Sequence, residues 1–141
     1  VSENQKPPFE FVEENLGRTP FHHWLKPVLK EVDEANSTVT IHLALRPEFC
    51  RAPGRPEIHG GVIAAFVDIV GHAGIAAKLG HGAATIDLRI DYLRLAAGTE
   101  LRGKATVAKF GRTIGFIDVQ ICDDANKPVA NGRGTYLTKS I

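Results

Sequence analysis

The chain has 141 residues, with 17 Lys and Arg against 16 Asp and Glu, a formal net charge of +1 and a pI near 8.0. That length fits one domain, 1–141, with a core that needs no disulfide or metal staple; residues 1–20 read as a helical or extended lead-in. A charge this balanced, with no Lys/Arg cluster interleaved with aromatics, excludes a nucleic-acid reader on electrostatic grounds.

The cysteines, Cys50 and Cys122, stand far apart and outside any CxxC spacing, which suits a reducing compartment and makes the cytoplasm the expected location. The opening "VSENQKPPFE" lacks the basic start and apolar core of a signal peptide, and a first residue Val1 instead of Met points to processing or trimming.

From Pro8 to Leu16, "PFEFVEENL" places Phe9, Val12 and Leu16 at roughly helical spacing ahead of Gly17, predicting a short helix that serves as a lid or cap. In the next stretch, "PFHHWL", Phe21 and Trp24 read as packing residues that could shape a pocket. Val28 to Val32 predicts a short strand and Asn36-Ser37 a turn. "TVTIHLAL" then alternates, Val39, Ile41, Leu43 and Leu45 facing one way and Thr38, Thr40 and His42 the other, which predicts a half-buried strand. The prolines and glycine of "RPEFCRAPGRPEI" forbid regular structure and make Arg46 to Ile58 a loop.

"IHGGVIAAFVDIVGHAGIAA", Ile58 to Ala77, is almost entirely small or apolar and predicts a helix from Gly60 to Leu79, stopped by Gly80. A membrane span needs about 20 mostly apolar residues without a central charge. Asp68, His72 and the glycines argue against one, and flanking strands make this a core helix wrapped by a sheet. Four strand-like runs follow: "ATIDLRIDYLRL", "ELRGKATVAKF", "TIGFIDVQIC" and "PVANGRGTYLT". Ile86, Leu88 and Ile90 alternate with Asp87, Arg89 and Asp91, and Ile117, Val119 and Ile121 with Asp118 and Gln120. Reversals at Ala97-Gly98, Gly111-Arg112 and Asp124 to Lys127 predict an antiparallel meander. The fold class is α+β, an antiparallel sheet curled around one long central helix.

This element order, with His59-Gly60-Gly61 followed by Asp68, resembles the hotdog-fold acyl-CoA thioesterases of the phenylacetate-pathway type from about Phe21 to Thr138. "IDLRIDYLRLA" resembles that family's strand after the helix, and "GRTIGFIDVQICDDANKPVANGRGTYL" its closing hairpin. The resemblance implies hydrolysis of an acyl-CoA without metal or separate cofactor, CoA being part of the substrate. It also implies a homodimer, often paired into tetramers. It makes Asp68 the general base or nucleophile and the Gly60 N–H the group that polarises the carbonyl. Thr85 aligns with a hydroxyl that helps hold the attacking water. One departure stands out: many members carry an Asn where this chain has Pro53, and Arg55 and Glu57 are nearby candidates to replace its polar contact.

Thioester hydrolysis needs a donor at the carbonyl oxygen and a base or nucleophile at the carbonyl carbon. A helix start presents unpaired N–H groups, and the lack of side chains at Gly60 and Gly61 lets an acyl group approach the backbone. Eight positions along one helix, however, place Asp68 about 12 Å from Gly60. The two must therefore meet between subunits, antiparallel across a two-fold axis. His59 either hydrogen-bonds near the carbonyl or orients the loop. Asp68 could instead be a structural carboxylate bonded to backbone or to His72; His72 reads as structural, or as tuning Asp68. Lys109, Arg112 and Arg133 either bind CoA phosphates or are solvated surface. No HxH or HExxH spacing occurs among the histidines, so no metal is expected. Two rival functions remain: a hotdog enoyl-CoA hydratase or dehydratase, and a non-catalytic acyl-CoA binder.

Overall fold

The computed structural model describes residues 5–140, so the first part of the lead-in, 1–4, lies outside the described residues. Helix α1 (Pro8–Arg18) buries Val12 and Leu16, as their spacing predicts, but runs through Gly17. It stops where Thr19 must be extended (φ −77°, ψ 120°), because Pro20 disfavours helical backbone in the residue before it. Pro20 then opens a second helix, α2 (Pro20–Leu25), which the reading of "PFHHWL" as mere packing overlooked. Its Leu25 is buried, whereas Phe21 is 52% and Trp24 50% exposed. Trp24 does lie edge-on to the buried Phe49, their ring centroids 5.2 Å apart.

Strands β1 (Val28–Asp33) and β2 (Thr38–Ala44) form a hairpin in which Val39, Ile41 and Leu43 are buried, following the alternation. The proline-rich loop is more ordered than expected. It contains a 3₁₀ turn (Pro47–Phe49) and is closed by an isolated antiparallel bridge between Cys50 and Ile58, with Arg51 N–H donating to the Glu57 carbonyl at 2.9 Å.

Helix α3 (Gly60–Leu79) has the predicted bounds, and Gly80 ends it in the left-handed region at φ +74°. Its mean hydropathy of 1.7 and 20 residues would suffice to cross a membrane, but the helix is enclosed by the protein, with Phe66, Val67, Val70 and Ile75 fully buried. The sheet comprises β1, β2, β3 (Thr85–Tyr92), β4 (Glu100–Phe110), β5 (Ile114–Cys122) and β6 (Pro128–Leu137). All pairs are antiparallel, in the order β1-β2-β4-β5-β6-β3. This is the hotdog architecture.

The order corrects the predicted meander. Strands β4, β5 and β6 are consecutive hairpins, but β3 pairs with β6 and β4 with β2. Residues 93–99 therefore cross from one edge of the sheet to its middle, passing the start of α3. There the Ala96 carbonyl accepts the Ile58 N–H at 2.8 Å and the Thr99 carbonyl the Leu45 N–H at 2.8 Å. In β3 the register shifts between Thr85 and Asp87, which leaves Ile86 outside the expected apolar face and 55% exposed.

The helix sits close to the sheet because side chains are missing where they meet. A Cβ on Gly103 would stand 2.6 Å from Val70 Cγ2, 3.1 Å from Ile121 Cδ1 and 3.2 Å from Phe66 Cε1. With three sides blocked, Gly103→Ala is expected to destabilise the fold by about 1–3 kcal/mol through overpacking, read as a lower urea midpoint. An unchanged midpoint would show that α3 can move away from the sheet at little cost.

Candidate active site

Asp68 lies midway along α3, half-buried. Its Oδ1 accepts two hydroxyl hydrogen bonds, from Thr85 Oγ1 at 2.9 Å and from Tyr136 Oη at 3.1 Å. The same Tyr136 hydroxyl also lies 3.2 Å from the Asp68 carbonyl. Among the described residues nothing donates to Oδ2, and no buried side-chain oxygen or nitrogen is left unsatisfied, so this second oxygen opens to solvent. The carboxylate is thus held by one oxygen and free at the other.

Thr85 enters this site at the start of β3, where the sequence placed it. Tyr136, on β6, was not foreseen. It is fully buried, and burial followed by the negative charge of Asp68 drives its phenol far above the ordinary tyrosine range, so it stays protonated as a donor. A buried tyrosine needs a partner for its hydroxyl; the only sequence hint was its position within the alternating run of β6.

His72, one turn beyond Asp68, does not bond the carboxylate. Its Nε2 accepts the Ala83 N–H at 3.1 Å, and its ring stands edge-on to Tyr136 with centroids 6.3 Å apart. The imidazole thereby tethers the segment between α3 and β3 that delivers Thr85. Burial lowers the His72 pKa, opposed by the charge of Asp68 and assisted by that of His22.

At the start of α3, His59 is extended (φ −62°, ψ 135°) and caps the helix, its Nδ1 accepting the Gly61 N–H at 2.8 Å. The His59 carbonyl takes the Val62 N–H at 3.0 Å and the Ile63 N–H at 3.4 Å. Among the described residues only the Gly60 N–H of this first turn remains without an acceptor. Tyr92, at the end of β3 and also unforeseen, donates its hydroxyl to the Gly60 carbonyl at 3.0 Å.

The basic residues read as candidate substrate contacts are not joined by hydrogen bonds to either place within one chain. Arg55 is engaged by Glu57 through two hydrogen bonds, at 3.2 and 2.9 Å, and this bonding pulls the Glu57 pKa down to about 2. Arg133 pairs in the same bidentate way with Asp118, at 2.7 and 2.8 Å. It points away from α3, because the neighbouring Gly132 faces Val67 of the helix. Lys109 is the penultimate residue of β4 and Arg112 lies in the following turn. Among the described residues no three His, Cys, Asp or Glu side chains are grouped as metal ligands.

The sequence profile of the thioesterase superfamily matches residues 57–130, which includes the start of α3, Asp68 and Thr85. The chain belongs to this superfamily. A solved structure from the thioesterase superfamily is 30% identical, with a TM-score of 0.87 over 94% of this chain and 98% of that one. The E. coli PaaI protein, from the phenylacetic acid degradation operon, shares the fold at 20% identity, with a TM-score of 0.85 and 96% of each chain covered. A Halobacterium salinarum protein with a provisional esterase name is 33% identical over 94 residues, 60% of this chain. The match spans 62% of that relative's length. The matched span thus contains both the free Gly60 N–H and the carboxylate of Asp68.

The His72 tether has a definite pH sign. Its folded pKa lies below the ordinary histidine range, so its contribution to stability is complete above that range, near pH 6.5, and is lost as pH falls through the lowered value. Urea midpoints taken from about pH 8 down to pH 5 should fall less steeply for His72→Gln than for wild type. Equal slopes would remove His72 from the acid sensitivity of the fold.

Proposed function

We propose that this thioesterase-superfamily protein hydrolyses an acyl-CoA thioester in sites formed between two copies of the chain. The observation that carries this reading is that a carboxylate held at one oxygen and an unclaimed N–H stand on one helix, eight positions and about 12 Å apart. Neither half can serve the other within one copy.

Strand β3 supplies a way to join them. Its first residue, Thr85, touches Asp68 and its last, Tyr92, touches Gly60, so the strand runs from one half-site to the other. It is also an edge strand, and Ile86, Tyr92, Leu93 and Leu95 on or just beyond it are 50–63% exposed. An exposed apolar edge is a template for pairing with another chain. If two copies pair β3 antiparallel about a two-fold axis, the Thr85 end of one meets the Tyr92 end of the other. Asp68 of each copy then faces Gly60 of its mate, giving two equivalent sites.

In such a site the Gly60 N–H donates to the thioester oxygen as negative charge develops there. Asp68, oriented by Thr85 and Tyr136, uses its free oxygen to take a proton from water attacking the carbonyl carbon, or attacks that carbon itself. Collapse of the tetrahedral intermediate expels the CoA thiolate, leaving the free acid after water attack or, after direct attack, a mixed anhydride with Asp68 that water then hydrolyses to the free acid and the carboxylate. No separate cofactor or metal enters this scheme, and the acyl group is small and aromatic or of medium chain length. The dimer, paired again into a tetramer in the manner of the resembling family, would work in the cytoplasm. Lys109, Arg112 and Arg133 are candidate contacts for the CoA phosphates, and Arg55 is a candidate substrate contact.

Thiol release from an acyl-CoA panel tests the activity. Asp68→Asn should lower kcat by about 10²–10⁴-fold, and an undiminished rate would sink the assignment. Single turnover in ¹⁸O-water separates the two roles, since hydrolysis of the anhydride at the aspartyl carbon leaves label in the carboxyl of Asp68, which the general-base route never labels. Tight acyl-CoA binding without turnover would identify a binder, and hydration of an enoyl-CoA without CoA release a hydratase.

Gly60→Pro deletes the proposed donor at the first helical position, where proline is tolerated, and the ψ of 135° at His59 suits a residue preceding proline. It should fold and lose about 10²–10³-fold in kcat. Sedimentation equilibrium addresses the assembly: a fully active monomer would overturn the shared site.

A further inference from the structure

Glycine places little restraint on its own φ and ψ, so the direction of the Gly60 N–H depends on what holds the peptide planes on either side of it. On the upstream side, the His59 carbonyl is fixed by the N–H groups of Val62 and Ile63. On the downstream side, the Gly60–Gly61 peptide is gripped at both ends by side chains. Its N–H donates to His59 Nδ1 at 2.8 Å, and its carbonyl accepts from Tyr92 Oη at 3.0 Å.

Those two grips come from different parts of the chain. His59 is the adjoining cap, whereas Tyr92 reaches in from the far end of β3, 32 positions away. Its ring also lies against the backbone, with Cε1 3.4 Å and Oη 3.7 Å from where a Gly60 Cβ would stand. The peptide unit is planar, so fixing its oxygen and its nitrogen together immobilises the whole plane.

We propose that Tyr92 is a positioning residue for the Gly60 N–H: with His59 it clamps the Gly60–Gly61 peptide and so aims the one unclaimed donor of the helix start at the thioester oxygen. The catalytic consequence rests on the hydrolytic reading above; the clamp rests on the hydrogen bonds alone. In this role His59 acts through Nδ1 as a helix cap, and its hydrogen-bonding partner is backbone.

Tyr92→Phe keeps the ring and removes only the hydroxyl. We expect kcat for acyl-CoA hydrolysis to fall roughly three- to tenfold, the worth of one such hydrogen bond, with KM unchanged within about twofold. Hydrogen exchange of the Gly61 amide, followed by NMR, should quicken in the same variant. His59→Ala should show a similar kcat loss, and His59→Asn, which can still accept the Gly61 N–H as a cap, should recover most of it.

A raised KM with unaltered kcat in Tyr92→Phe would make the hydroxyl a substrate contact and overturn the proposal, as would unaltered Gly61 exchange. His59→Asn as poor as His59→Ala would overturn the part assigned to His59. A wild-type protein inert toward every thioester in the panel would overturn the hydrolytic reading instead, and Gly61 exchange would then decide the clamp by itself.

Discussion

The constraint on which the rest depends is the close approach of α3 to the sheet. Glycines stand at the contact on both sides: a Cβ on Gly71 would lie 2.6 Å from Tyr136 Oη, one on Gly74 2.9 Å from Ala105 Cβ, and one on Gly132 2.4 Å from Val67 Cγ1. Without those gaps the helix would stand further out, and Tyr136 could not reach the carboxylate of Asp68. A half-buried acid is thereby made compatible with an apolar interior, because the sheet behind it brings hydroxyl donors. Packing and site chemistry are one arrangement here.

The two ends of β3 show the same economy. One strand brings Thr85 to the middle of the helix and Tyr92 to its start, so the spacing between carboxylate and free N–H is held by sheet as well as by helix. The crossing residues 93–99 then continue past the helix start, where Ala96 secures Ile58. The loop before the central helix and the crossing after β3 are tied together beside the same turn.

Much of this was legible in the sequence. The long, almost wholly apolar run, the glycine pair and Gly80 set the bounds of α3, and its helical rise alone separates Gly60 from Asp68 by more than a hydrogen bond. The hairpins β4–β5 and β5–β6 followed from alternation and turn residues. The pairing of β3 did not, because periodicity tells which face of a strand is apolar and says nothing of which neighbour it joins. Ile86 was misplaced by a register shift that alternation cannot reveal. Tyr136 and Tyr92 were overlooked for a related reason: each acts through a hydroxyl on a residue distant in sequence, and nothing local marks a tyrosine as a donor to a backbone carbonyl or a carboxylate. Arg133 looked available for phosphate, and Arg55 for the polar contact missing at Pro53, because their acidic neighbours, Asp118 on the adjoining strand and Glu57 two positions on, become partners only through folding.

The bridge between Cys50 and Ile58 closes the proline-rich loop at its base, immediately before His59. Everything beyond that closure hangs as a tip whose ends are already fixed, and lengthening such a tip costs little, since closure entropy grows only slowly with length. Insertions or deletions among Ala52 to Pro56 would therefore leave the helix start where it is. The fold thus separates a stretch of chain that can vary in size and composition from the backbone turn beside it that cannot, and variation in recognition could accumulate there without disturbing the chemistry.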